Sequence, residues 1–201
     1  MASQTKIKVA VRVRPFNQRE IAMGTAQSIV NMTINQTLLH HPEGEDLNKI
    51  PKSFTFDHCF NSLDAKLPEF ATQTHVFNAV GEDILDNAFQ GYNACIFAYG
   101  QTGSGKSFSM MGAPDQPGII PRLCVSLFDR IAKTEKSKFG DAKVEVSYME
   151  IYNEKVFDLL DMTSQKSGLK VREHHILGPY VDGLSKLAVT SYQVPCSKYY
   201  F

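Results

Sequence analysis

Apolar and polar positions alternate from the start of the chain. Ile7, Val9, Val11 and Val13 share one side, and Lys6, Lys8, Ala10 and Arg12 the other. This two-residue period predicts a strand over 7–13, ended by Pro15. Arg12 and Arg14 fall on the side opposite the apolar one, which alone means a solvated strand face. Residues 17–24 are polar and turn-like. Residues 28–34 and 37–41 read as short strands joined by Asn35-Gln36, and 53–56 as another. Between them, 42–51 is a polar loop bounded by prolines. Residues 61–72 are irregular. The period then changes. Val76, Phe77, Val80, Ile84, Leu85 and Ala88 recur at three- and four-residue steps, which predicts a helix over 74–89 stopped by Gly91.

Ala94–Tyr99 is a short apolar run of strand character. Residues 112–118 hold the turn residues Pro114, Pro117 and Gly118. Pro121 suits a first helical turn, and Leu123, Leu127, Phe128 and Ile131 carry that helix to about Lys133. A charged loop is expected over 134–141, then a long strand over 142–152. Asn153-Glu154 makes a tight connection to 156–160, whose pattern fits helix or strand. After polar 162–168, short strands are expected at 169–172, 180–181 and 184–189, around the Gly178-Pro179 and Asp182-Gly183 turns. The chain shows no internal repeat and no low-complexity tract.

The candidate chemistry lies where the apolar run meets the next helix. Gly100-Gln101-Thr102-Gly103-Ser104-Gly105-Lys106-Ser107 is a complete G-x-x-x-x-G-K-[ST] phosphate-binding loop, with an apolar run before it and helix-compatible sequence after. Its glycines let successive N–H groups turn inward on a polyphosphate. A helix starting near Gly105 points its N-terminus at the same anion. Lys106 supplies a mobile positive charge, and the Ser107 hydroxyl suits Mg²⁺. Asp115-Gln116-Pro117-Gly118 formally matches a D-x-x-G switch. It follows Met-Gly-Ala-Pro rather than a hydrophobic strand, so that reading is rejected.

Composition changes this picture little. The chain has 201 residues, 43% of them hydrophobic and 21% charged. That is one ordinary globular domain or slightly more. Lys plus Arg and Asp plus Glu are 21 each. The balance gives no overall pull toward nucleic acid or another polyanion. No apolar run approaches the ~18 residues of a membrane span, and no signal-peptide core is visible at the N-terminus. Cys59, Cys95, Cys124 and Cys196 form no C-x-x-C pair, which fits a reducing cytoplasm. Neither histidine pair, His40-His41 or His174-His175, has helical ligand spacing. Glu150 and Glu154 fall in a strand and its turn, and Glu150 reads as a structural or solvent-facing acid.

Several segments resemble the N-terminal half of a kinesin motor domain, with wording nearest the kinesin-3 group. Lys8-Val-Ala-Val-Arg12-Val-Arg14-Pro15-Phe16-Asn17 is similar to the family's first strand with its R-x-R-P ending. Phe89 to Ser107 resembles the kinesin form of the phosphate loop. Gly118-Ile-Ile-Pro121-Arg122 and Val146 to Leu160 match in order and spacing. The resemblance covers roughly residues 5–191. It implies an α/β P-loop NTPase fold, with helices flanking a central, mostly parallel sheet. It implies ATP and Mg²⁺ as ligands, microtubules as partner and the cytoskeleton as location. It also implies that adenine packs between Arg12, Arg14 and Pro15 on one side and Phe108 on the other, where an aromatic can stack on the base.

The chain departs from the family pattern toward its end. Neither a Ser-Ser-Arg-Ser-His switch nor an Asp-Leu-Ala-Gly strand end occurs in it. Residues 193–201 do not resemble the family's continuation. The expectation is a partial motor domain over 1–192 with a divergent tail over 193–201, no catalytic residue, and doubtful hydrolysis and motility. A chain short of interior strands is also expected to be poorly stable and aggregation-prone. The alternative reading is a non-motor nucleotide-binding or regulatory fragment; a small P-loop kinase is disfavoured, since nothing lid-like follows the loop. Lys166, Lys170 and Arg172 make a modest basic patch that could meet tubulin.

Overall fold

The structure is a computed structural model that describes residues 7–24, 27–42, 50–133, 142–161, 168–176 and 178–191. The chain divides into two compact units, Met1–Leu123 and Cys124–Phe201. The expected tail at 193–201, the loop at 134–141 and Lys166 lie outside the described residues.

In the first unit β1 (Ala10–Val13) leads to a short helix, α1 (Gln18–Ala22), where the polar pattern predicts a turn. The Asn17 side chain accepts from the Glu20 N–H and the Glu20 carboxylate accepts from the Asn17 N–H, each at 2.8 Å. This reciprocal cap satisfies two donors that a helix start otherwise leaves orphaned. Strands β2 (Val30–Met32), β3 (Gln36–Leu39) and β4 (Lys52–Thr55) form an antiparallel sheet, and β5 (His58–Asn61) pairs in parallel with β1. The sequence pattern does not predict β5. Its residues do not alternate, and the β1 ladder, from Ala10↔His58 to Val13↔Asn61, makes it a strand.

The helix expected over 74–89 is two helices, α2 (Gln73–Val80) and α3 (Glu82–Phe89). Gly81 joins them. A Cβ there would lie 2.5 Å from the Phe77 ring, so only glycine lets that ring lie over the junction. Thr72 and His75 cap α2 reciprocally, and Gly91, at φ +87°, ends α3 as expected. Val76, Phe60, Ala71 and Ile119 form the buried core of this unit, with Val80, Ile96 and Met110 packed on it.

The strand expected at Ala94–Tyr99 does not form. No neighbour among the described residues offers it a ladder, and only Ile96 reaches the core. Phe97 is 83% and Tyr99 96% exposed. Helix α4 (Lys106–Met110) follows the phosphate loop. A small hairpin of β6 (Gly112–Ala113) and β7 (Gln116–Pro117) comes next, then α5 (Ile119–Lys133), with bounds as expected.

In the second unit the long strand expected over 142–152 is two strands with different partners. β8 (Val144–Val146) pairs with the last of the described strands, while β9 (Met149–Tyr152) forms a hairpin with β10 (Lys155–Asp158). Asn153 and Glu154 both have positive φ, 52° and 62°, as a two-residue hairpin turn requires. That turn settles 156–158 as strand, within β10, while Leu159 and Leu160 lie beyond its end. β11 (Val171–His174) pairs with β12 (Gly178–Val181), and β13 (Leu187–Val189) is the partner of β8. Gly178-Pro179, expected as a turn, opens β12. Asp158 is almost wholly buried. Its carboxylate accepts from the backbone N–H groups of Ser185 (2.7 Å), Leu160 (2.8 Å) and Asp161 (3.3 Å). Burial pushes its pKa up, but the Ser185, Leu160 and Asp161 hydrogen bonds outweigh burial and hold the carboxyl below its usual range.

The pairing among the described residues is thus one parallel ladder, β1 with β5, and six antiparallel ones. The mixed helix-and-sheet architecture is that of the α/β class.

Candidate functional site

The residues singled out in the sequence gather in the first unit, where the end of β1, the start of α2 and the loop before α4 meet. Gly100 has φ +150°, and a Cβ on it would lie 2.5 Å from the Ser104 hydroxyl. Gly105, at φ +96°, is the residue that α4 starts from. That conformation is open to glycine and strained for other residues. Lys106 turns back over the loop: its Nζ donates to the carbonyls of Gly100 (2.9 Å) and Gln101 (2.8 Å). Gln101, Thr102, Gly103 and Ser107 are exposed. Helix α4 has five residues, so its contribution to anion binding is the N–H groups of its first turn, which have no intrahelical acceptor, rather than a long macrodipole.

Arg12 is not on a solvated face. It is half-buried, and burial lowers the pKa of its guanidinium. Its Nε donates to the Ser62 hydroxyl at 2.9 Å. One terminal nitrogen donates to Gln73 Oε1 at 2.7 Å and to the Ser109 hydroxyl at 3.1 Å. The guanidinium carbon lies 5.4 Å from the centre of the Phe108 ring, within cation–π range. Phe108 itself is 38% exposed, so one part of its ring is packed and the rest is open.

Arg14 fixes the other side. Its Nε donates to the Gly103 carbonyl at 2.8 Å, and its terminal nitrogens grip both oxygens of Glu20 at 2.7 and 2.8 Å. A further bond reaches the Pro15 carbonyl. The Arg14 hydrogen bonds, with help from the Asn17 N–H, hold the Glu20 carboxyl down at about 2. The same hydrogen bonds push the Arg14 guanidinium up. A five-residue helix with a reciprocal cap therefore positions the carboxylate that orients the arginine touching the phosphate loop.

Arg12, Arg14, Pro15 and Phe108 thus surround a small cavity of about 30 Å³ that Ser104 and Gly105 close from the loop side. From Arg12, Pro15 and Phe108 a wider groove of about 640 Å³ runs on past Phe70, Gln73 and Gln116. Volumes of a few hundred Å³ are typical of small-molecule sites.

Sequence reading missed Asn17, Glu20, Ser62, Gln73 and Ser109. Asn17-x-x-Glu20 carries the signature of a capping box and was findable. Gln73 carries none. It is a polar residue at the start of a helix, and only the fold buries it. Of the basic patch, Lys170 is exposed, whereas Arg172 donates to Asp182 at 2.7 Å. Glu150 and Glu154 are both exposed. Among the described residues no group of three or more His, Cys, Asp or Glu side chains could hold a metal ion, and no helix is long and apolar enough to cross a membrane.

Residues 12–197 match the Kinesin motor domain family. The chain is 60% identical over 197 residues to the kinesin-like protein KIF13A of Mus musculus, a match that spans 95% of this chain and 11% of that protein. It is 52% identical over 196 residues to the kinesin-like protein unc-104 of Caenorhabditis elegans, covering 96% of this chain and 12% of the relative. Among solved structures it is similar to KIF14 with ADP in complex with a microtubule. The TM-score is 0.79 at 43% identity, over 95% of this chain and 52% of that one. A fast kinesin gives 0.77 at 36% identity, over 93% and 49%. The chain therefore spans about a tenth of these two curated relatives and about half of these two solved chains.

Proposed function

The chain belongs to the kinesin motor domain family, and on that footing we propose that it is the nucleotide-binding part of a microtubule motor, holding ATP with Mg²⁺ at residues 100–108, Arg12, Arg14 and Pro15. The observation that carries the reading is the convergence just described: a glycine loop with its lysine folded into the mouth, beside an arginine–phenylalanine platform. The donors suit the ligand. Lys106 Nζ now rests on two carbonyls, which are weak partners for a charge that phosphate oxygens would satisfy better. The loop N–H groups suit the β- and γ-phosphates, and the half-open Phe108 ring and Arg12 suit a purine. The Ser107 hydroxyl is one protein ligand for Mg²⁺, an ion that commonly keeps waters and phosphate oxygens for its remaining positions. When bound, MgATP supplies the phosphoanhydride whose cleavage would drive movement. The side chains named here bind and orient; none is assigned a proton-transfer role.

The microtubule is the proposed partner, the KIF14 likeness and the family membership being its support. The family is cytoskeleton-associated, and a cytoplasmic location follows from the proposed partner. The test is a fluorescent-nucleotide titration of the chain with Lys106→Ala as control, followed by microtubule co-sedimentation. Binding by the parent and loss of about tenfold or more in Lys106→Ala are expected, since charge-assisted hydrogen bonds contribute about 1.5–3 kcal/mol each. Equal binding by both would overturn the site. Nucleotide binding without microtubule binding would favour the non-motor reading.

A further inference from the structure

We propose that Gln73 is a positioning residue for the base end of the nucleotide site, an assignment that rests on the reading just given. Gln73 is 5% exposed, and both ends of its amide are hydrogen-bonded. Oε1 accepts from Arg12 at 2.7 Å. Nε2 donates to the Phe108 carbonyl at 2.7 Å and to the Gln116 carbonyl at 3.2 Å. These partners fix which end of the amide is which, because a guanidinium only donates and a carbonyl only accepts. One side chain therefore ties together both halves of the Arg12–Phe108 platform and anchors them to the β6–β7 hairpin.

No other residue type reproduces this. Glutamate offers no donor to the two carbonyls, methionine offers neither group, and asparagine carries the same amide one methylene short. Helix α2 does not need the Gln73 side chain to begin, since Thr72 and His75 make the cap. Nor does the phosphate loop touch it: among the described contacts, Lys106 and Arg14 hold the loop without it. The side chain thus acts on the base platform and is separate from the phosphate cradle. Its loss should lower affinity for the base and spare affinity for the phosphates.

The experiment is direct calorimetric titration of the full chain and of Gln73→Met with MgATP and, separately, with magnesium tripolyphosphate. In Gln73→Met, ATP affinity should fall about tenfold, on the scale of one lost base–aromatic contact, while tripolyphosphate affinity stays within twofold. A purely structural role would weaken both alike, because a smaller folded fraction divides both apparent affinities by the same factor. Parallel losses, or no loss of ATP affinity, overturn the assignment. If Gln73→Met binds neither ligand, Gln73→Asn decides by the same two criteria. A parent chain that binds neither ligand refutes the nucleotide site itself, and this assignment with it.

Discussion

Arg12→Ala tests whether the platform is built as the distances say. The substitution removes three hydrogen bonds and one ring contact, but their losses differ. Ser62 keeps a partner, since its hydroxyl donates to the Ala71 carbonyl at 2.6 Å. Ser109 lines the small cavity beside Phe108, where water can replace the arginine. Gln73 Oε1 is buried and loses the donor that satisfies it, which costs about 1–3 kcal/mol. Loss of the cation–π contact adds about 0.5–1 kcal/mol. The sum is about 1.5–4 kcal/mol, and it falls on one corner of the first unit. Native-state hydrogen exchange is the appropriate assay because it reads local opening without a reversible global transition. Exchange of the Ser109 and Met111 amides, which bond to Gly105 and Ser107 at 2.9 and 2.8 Å, should quicken by about tenfold or more, since 1.4 kcal/mol is tenfold in an equilibrium. The amides of the β9–β10 hairpin, in the other unit, should not change. A change under threefold at Ser109 and Met111 would refute the reasoning, and would mean that Arg12 hangs on the surface as its strand pattern alone implies.

Three further predictions follow from the same contacts. Glu20 has its carboxyl held down at about 2 against an ordinary 4.5, so the contribution of its pair with Arg14 is complete above about pH 4.5 and fades as pH falls toward 2; a carboxyl NMR titration with a midpoint near 4.5 would disprove the pairing. Asp158→Asn replaces an acceptor of three backbone N–H groups with an amide that turns a donor toward one of them; exchange at Ser185 or Leu160 should rise by the equivalent of about 1–3 kcal/mol, and unchanged protection would show the carboxylate to be dispensable. Gly105→Ala meets only ordinary van der Waals contact, with Arg14 Cβ at 3.7 Å, yet must hold φ near +96°; strain of about 1–3 kcal/mol should both loosen α4 and weaken tripolyphosphate binding, and unaltered affinity would show that the loop does not depend on that backbone angle.

Much of this molecule is legible in its sequence because the relevant rules are local. Period-two and period-three-to-four patterns placed most strands and the long helices, Gly91 and Pro121 marked helix ends, and the spacing of Gly100, Gly105, Lys106 and Ser107 named the phosphate loop. Membership of the kinesin family was readable too, since a motif such as Arg12-Val-Arg14-Pro15 keeps its order whether or not the chain is folded. Tertiary structure decided what depends on neighbours. β5 is a strand because β1 lies beside it, and Ala94–Tyr99 is not one because no ladder among the described residues reaches it. Arg12, on a face that alternation marks as solvated, is drawn inward by three side chains up to 97 positions away. Gln73 is polar in the sequence and buried in the fold. Its three partners come from β1, α4 and the β6–β7 hairpin, and a contact between segments so far apart leaves no periodic trace in any one of them. The phosphate-loop motif was fixed by local chain chemistry, while the platform beside it exists only once distant segments have packed together.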